Sequence, residues 1–260
     1  MSTFSQVDPE SFIDTVAKTP KFGRGAWTKS GIGFSALYML APDGEKRIGT
    51  VAQLGLAHWA VAAGALGIQR ELKALGLYAG ALDGIFGPAT KAAVEAFQKS
   101  KGLIVDGEFG RASAKALFTP LIDAAEAAEN IPSHFLRGMI NSESALDPGA
   151  VGYYIYYGAS LSYRGVDRGP GQINSKAQSQ VSWVDAFNFK FAAKWTAERL
   201  RKTYDSLESW YPNTDSDDLW DAAICSHNNP FAGNLWARDG VPPTEAAAEY
   251  VRKVKTAIYI

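Results

Sequence analysis

Chemistry is most legible in the stretch Leu136-Arg137-Gly138-Met139-Ile140-Asn141-Ser142-Glu143-Ser144. Leu136, Met139, Ile140 and Glu143 stand at i, i+3, i+4 and i+7, so a helix carries all four on one face. Such a face turns toward a core. A carboxylate among apolar neighbours loses solvation of its charged form, so its pKa is expected to rise and it can stay protonated near neutrality. A general acid that breaks a glycosidic bond needs that property. The competing reading is a solvated glutamate on a surface helix, the ordinary situation for this residue type.

Several elements would have to position that carboxylate. Pro132 suits the first position of the helix, and Asp147-Pro148-Gly149 stops it. Tyr153-Tyr154-Ile155-Tyr156-Tyr157-Gly158 suits a strand or flap, whose rings either stack on sugar faces or pack a hairpin on the core. Gly165-Val166-Asp167-Arg168-Gly169-Pro170-Gly171-Gln172-Ile173-Asn174 is a Gly-rich turn ending in two side-chain amides. It either brings backbone and amide groups to a ligand's hydroxyl and N-acetyl groups or serves only as a turn.

With 260 residues the chain has room for one large domain or two smaller ones. Its 47% hydrophobic and 20% charged residues describe an ordinary soluble globular protein, and a net charge of -1 gives no electrostatic reason to bind nucleic acid. The single cysteine, Cys225, cannot form an internal disulfide and reads as a buried, inert thiol in a helix. The histidines lack metal-ligand spacing, so neither a metal nor a cofactor is expected. The first residues have neither the basic start nor the apolar core of a secretory signal. Ile48 to Gln69 carries no formal charge and is long enough to span a bilayer. It is rich in Ala and Gly and contains Gln53 and His58, so a packed helix without a stable membrane anchor is the better reading. Residues 1–60 receive no role; within them Asp8-Pro9 could open a short helix to Val16, and Lys21 to Gly49 reads as loops with short extended pieces.

Residues 61–119 are more regular. Ile68, Leu72 and Leu75 form a helical stripe ending at Gly76. Asp83-Gly84-Ile85-Phe86-Gly87-Pro88-Ala89-Thr90 then makes a tight turn into a second helix carrying Val94 and Phe97. The signal recurs as Asp106-Gly107-Glu108-Phe109-Gly110, before a third helix reaching Leu117. Thr119-Pro120 ends this region, and residues 120–130 read as a connecting helix, rigid or hinged. The run from Leu75 to Thr90, with Ala96-Phe97-Gln98 and Gly102 to Gly107, resembles the peptidoglycan-binding type 1 domain, a small three-helix module. The resemblance implies bacterial peptidoglycan as the partner. The repeated Asp, Gly and Phe residues themselves read as turn and core.

Residues 131–260 resemble the soluble lytic transglycosylase and goose-type lysozyme superfamily. Ser142-Glu143-Ser144 with Asp147-Pro148 is similar to its Glu-Ser-x-x-x-Pro motif, and Gly169 to Asn174 to its Gly-Leu-Met-Gln-Ile-x turn. Ala222 to Pro230 is similar to the Ala-Tyr-Asn-Ala-Gly motif, and Glu249 to Val254 to the closing Tyr-Val-x-x-Val helix. The resemblance implies a mainly α protein: a three-helix binding module followed by a lysozyme-like, mostly helical domain with a small β flap. It implies cleavage of the β-1,4 bond between N-acetylmuramic acid and N-acetylglucosamine, with Glu143 as catalytic acid. Ser144, Gln172, Asn174, His227 and Asn228 would contact the sugars, and Tyr250 would hold the Glu or the N-acetyl group. Pro170, Gly171 and His227 depart from the family pattern. Asp167 is the candidate second acid of a hydrolytic muramidase, whereas a transglycosylase needs only Glu143. The transglycosylase is the favoured expectation, ahead of a muramidase, a wall endopeptidase and a non-catalytic wall-binding protein. The module order resembles lysins of phages, which implies a monomer made in host cytoplasm and acting in the periplasm, or one carried in the virion.

Overall fold

The computed structural model describes residues 37–39, 51–156 and 162–257, with side chains from Ala63 to Ala150 and from Asp167 to Ala257. The helix expected at Asp8 to Val16, and Tyr157 of the tyrosine run, lie outside the described residues. The described fold is mainly helical with one small sheet, as expected. In chain order the elements are β1 (Leu37–Met39), α1 (Val51–Ala74), α2 (Pro88–Ser100), α3 (Arg111–Ala128), α4 (Phe135–Ser144), β2 (Val151–Tyr156), β3 (Ser162–Arg168) and β4 (Ile173–Asn174). They continue with α5 (Trp183–Ala186), α6 (Phe189–Trp210), α7 (Ser216–Asn228), α8 (Pro230–Asp239) and α9 (Glu245–Thr256). The contacts divide them into two compact units. One gathers the described residues up to Phe118 with Leu146–Ala192; the other takes Thr119–Ala145 with the residues from Ala193 onward. This division interleaves the chain, where the sequence reading cut it consecutively.

The first unit contains α1, α2, the start of α3 and the sheet, in strand order β1-β2-β3-β4. β1 runs parallel to β2, and the other pairings are antiparallel, with Asp167 opposite Asn174 and Arg168 opposite Ile173. The tyrosine run is thus a strand, with a register shift between Tyr153 and Ile155. Every residue from Ala63 to Gln69 is buried, so this part of the uncharged stretch is a helix packed on all sides. Among the described residues no helix is long and apolar enough to cross a membrane. Ile68 and Leu72 face the core, but Leu75 is 52% exposed. The reason is that α1 ends at Ala74 and Gly76 turns the chain at φ 72°.

The repeated turns are held by a repeated amide lock. Gln69, on α1, donates through Nε2 to Asp83 Oδ1, the Ile85 carbonyl and Thr90 Oγ1, and its Oε1 accepts from Gly84 N–H. Gln98, on α2, donates to Asp106 Oδ1, the Glu108 carbonyl and Ser113 Oγ, and its Oε1 accepts from the N–H groups of Asp106 and Gly107. Both glutamines are buried. The repeat therefore extends beyond Asp-Gly-x-Phe-Gly to the hydroxyls of Thr90 and Ser113. The hydrogen bonds also hold the Asp83 and Asp106 carboxyls below their ordinary range: the Gln69 amide contributes most at Asp83, and the Glu108 N–H most at Asp106. The two Phe residues part company, since Phe109 is fully buried while Phe86 is half-buried. Phe118 stacks on Phe189 at 3.9 Å to close this core.

The second unit packs α4, α7, α8, α9 and most of α6 around Leu136, Met139, Ile140, Trp220, Ile224 and Val254, all buried. Two helix boundaries differ from the sequence reading. α3 continues through Pro120 to Ala128, so Thr119-Pro120 does not end it. α4 begins at Phe135, after Pro132, because its N-terminus is capped from elsewhere, as described below.

Replacing Gln98 with Leu leaves the buried Gly107 N–H and the Ser113 hydroxyl without their amide partner. Urea denaturation is expected to show a loss of about 2–4 kcal/mol in the stability of this region, from the cost of orphaning buried polar groups. An unchanged midpoint would show that the lock does not hold the turns.

Candidate functional site

Glu143 sits in the last turn of α4, on the stripe that the spacing foretold: Leu136, Met139 and Ile140 are fully buried, and the Glu143 side chain keeps 21% of its surface exposed. Two features fix this helix. Its N-terminus has no side-chain cap of its own, with His134 at φ 78°. Buried Glu126 supplies the cap: Oε2 accepts from His134 N–H, and Oε1 from the N–H groups of Leu136 and Arg137. A carboxylate there also meets the positive end of the helix dipole. Burial pushes the Glu126 carboxyl above its ordinary range, against the opposing pull of those three donors. The Ala- and Glu-rich sequence around Glu126 carried no signal for this role.

The second feature is Gly138. A Cβ at that position would lie 2.0 Å from the Val254 carbonyl oxygen, so only glycine allows α4 and α9 to approach this closely. One turn before Val254, Tyr250 consequently reaches Glu143, donating from Oη to Oε1 at 2.6 Å, across 107 positions of sequence. Burial, then the Glu143 charge, raises the Tyr250 phenol far above its usual pKa, so it remains a hydrogen-bond donor. Glu143 Oε2 has no hydrogen-bond partner among the described residues, and is the oxygen available to a ligand.

His227 lies near the end of α7 with Nε2 4.0 Å from Glu143 Oε1. Burial lowers the imidazole pKa below 6.5; the Glu143 charge opposes this and Arg199 reinforces it. His227 is therefore neutral at pH 7 and contributes a ring edge rather than a cation. Of the residues expected to act together, the structure thus joins Glu143, Tyr250 and His227. Ser144 is turned the other way: it is buried, and its hydroxyl donates to the Ile140 carbonyl of its own helix. Asn228 ends α7 and is exposed. The buried thiol expected at Cys225 is present, with its pKa raised by burial.

Asp167, Gln172 and Asn174 form a second cluster, in the first unit. Asn174 Nδ2 donates to Asp167 Oδ1 at 2.8 Å, and Asn174 Oδ1 accepts from the N–H groups of Lys176 and Ala177. Gln172, at φ 46°, donates from Nε2 to the Gly169 carbonyl. Gly169 at φ +67° packs so tightly that a Cβ would lie 1.9 Å from the Ala186 carbonyl oxygen. Arg168, which the sequence reading treated only as part of the turn, is its organiser. It is 1% exposed, its guanidinium donates to the carbonyls of Ile173, Gln178 and Val181, and it lies over the Trp183 ring. Among the described residues no group of three or more His, Cys, Asp or Glu side chains is placed to hold a metal.

In the first unit the two amide-locked turns face each other across a cleft of about 460 Å³, with Phe86, Gly87, Pro88 and Lys91 on one side and Asp106, Gly107 and Glu108 on the other. Half-burial of Phe86 makes it the exposed aromatic of this cleft. Residues 66–117 match the family model described as "Putative peptidoglycan binding domain". These residues are the binding module, and bacterial peptidoglycan is the partner they imply. No match to a curated protein was found.

The His227 shift gives a pH dependence. A histidine whose pKa is lower folded than unfolded takes up its proton more readily in the unfolded chain. Stability is therefore full above about pH 6.5 and falls as the pH drops below it, by up to about 1.4 kcal/mol per pH unit. Denaturation at pH 5.5 and 7.5 is expected to show this loss, reduced in His227→Gln. A His227→Gln variant with the full acid loss would assign the effect elsewhere.

Proposed function

We propose that this protein is a peptidoglycan-degrading lysin that cleaves the N-acetylmuramic acid to N-acetylglucosamine β-1,4 bond as a lytic transglycosylase. The observation that carries the reading is Glu143, set at the end of a buried stripe with Oε1 held by Tyr250 and Oε2 open, in a chain that also carries a peptidoglycan-binding module. Glu143 gives a proton to the leaving glycosidic oxygen as the bond to the muramic C1 breaks. The muramic 6-hydroxyl then attacks C1, and Glu143 takes the hydroxyl proton back. The product is a 1,6-anhydro sugar, no water is consumed, and the carboxyl returns to its starting state. Tyr250 keeps the proton-bearing oxygen aimed throughout by donating to the other one. A single carboxyl suffices because the nucleophile belongs to the substrate and is held beside the reacting carbon.

Hydrolysis by a muramidase would instead call on a second carboxylate to activate water, for which Asp167 is the candidate. The bond from Asn174 to Asp167 between paired strands favours a role in shaping the turn. Arrival at the wall from a phage-infected host cytoplasm, or on a virion, belongs to the same proposal.

Mass spectrometry of fragments released from purified Gram-negative peptidoglycan tests the bond and the outcome together. Fragments ending in anhydro-muramic acid, one water lighter than hydrolytic ones, are expected. Reducing muramic ends would make the protein a muramidase and bring Asp167 into the chemistry. Intact glycan with new free amines would make it a peptidase, and the absence of any fragment would leave only the wall-binding role.

A further inference from the structure

We infer that the cleft bounded by α6, α7 and α8 binds the carboxylate-bearing peptide stem of the wall glycan, so that the protein prefers peptide-bearing to peptide-free strands. This rests on the glycan-cleaving reading and extends it to a part of the substrate remote from the scissile bond. The cleft encloses about 370 Å³, within the range of pockets that hold small ligands, and His227 lies in its wall as well as beside Glu143. Its wall takes Arg199, Lys202 and Trp210 from α6 and Asn234 from α8, and no Asp or Glu lines it.

The charge distribution favours an anionic ligand. Arg199 is half-buried, lies over the Trp195 ring at 5.4 Å, and pairs with no carboxylate among the described residues. Two other cations of α6 pair, Arg201 with Asp205 and Lys194 with Glu198, whereas Lys202, in the same wall as Arg199, has no ion pair among the described residues. Burial lowers the Arg199 pKa with no opposing carboxylate. Partial burial of a cation without a counter-ion is unfavourable, and an incoming carboxylate relieves it. The remaining groups suit a peptide. Asn234 Oδ1 accepts from Tyr211 Oη, while its Nδ2 makes no hydrogen bond among the described residues and is left to donate to a carbonyl. Trp210, 64% exposed, offers an aromatic face on the rim against which amide planes can lie. In peptidoglycan the carboxylates belong to the peptide carried by muramic acid, the sugar whose linkage Glu143 would cut.

Two measurements on the full chain test this. The first compares kcat/KM on glycan strands carrying peptides with that on strands stripped of them by an amidase and capped as the amide at the lactyl carboxyl so freed, for the wild type, Arg199→Gln and Arg199→Lys. The wild type is expected to favour peptide-bearing strands by tenfold or more, Arg199→Gln to lose most of that ratio, and Arg199→Lys to keep much of it. Equal rates in the wild type, or an undiminished ratio in Arg199→Gln, would overturn the inference. The second follows the Trp210 indole N–H by NMR during titration with purified disaccharide-tetrapeptide and with the peptide-free disaccharide capped as the amide at its lactyl carboxyl. Saturable binding of the first alone, weakened about tenfold by Arg199→Gln, is expected even from a protein that cleaves neither strand, which would refute the catalytic reading while leaving the cleft assigned. Identical responses to both compounds would refute the cleft assignment whatever the enzyme cleaves.

Discussion

The close approach of α4 and α9 at Gly138 is the constraint on which the candidate active site depends. Where a side chain would begin, the carbonyl of Val254 already stands. The two helices are therefore near enough for Tyr250 to donate to Glu143 with a short hydrogen bond. Bonds of a hydroxyl to a carboxylate contribute about 1.5–3 kcal/mol, but here geometry matters more than energy. One oxygen is fixed and the other is left open. Glu126 works to the same end from the opposite terminus of α4, closing three backbone N–H groups that the helix cannot satisfy itself. The carboxylate is held by its helix at both ends, and His227 borders it as a neutral ring.

The binding module solves a different problem by repetition. Two Asp-Gly turns lie at the surface of the module, yet their backbone donors and acceptors need partners. Each is supplied by one buried glutamine from the preceding helix, whose amide presents a donor edge and an acceptor edge together. Because the locking groups point inward, the outer faces of the turns remain available, and the cleft between Phe86, Lys91, Asp106 and Glu108 is built from those faces.

Much of this was legible in the sequence where a period or a repeat encoded it. The 3.6-residue stripe put Glu143 with Leu136, Met139 and Ile140, and the repeated Asp-Gly-x-Phe-Gly marked both turns. Groups that act across the chain were not legible. Glu126 lies in an Ala-rich helix that looks like any solvated one, and only the fold brings it to the start of α4. The local chemistry of Pro132 permits a helix start, yet the cap from Glu126 sets the start at Phe135. Pro120 signalled a helix end, and the helix continues through it. Ser144 stands beside Glu143 but donates its hydroxyl to the Ile140 carbonyl, and Arg168 gives no sign in the sequence that its charge is buried among carbonyls. The sequence does carry one signal of the lock: Gln69 stands before the first turn as Gln98 stands before the second, so the repeat extends to the residues that hold it.

Under the proposed function, Glu143 performs the chemistry while a separate module holds the wall. Glu143→Gln tests it by parting the two: release of soluble fragments from purified sacculi is measured beside the fraction of protein that sediments with them. Release is expected to fall by about 10²–10⁴-fold, the range for loss of a general acid, while sedimentation stays as in the wild type. Undiminished release by the Glu143→Gln protein would contradict that function and remove this carboxylate from the reaction.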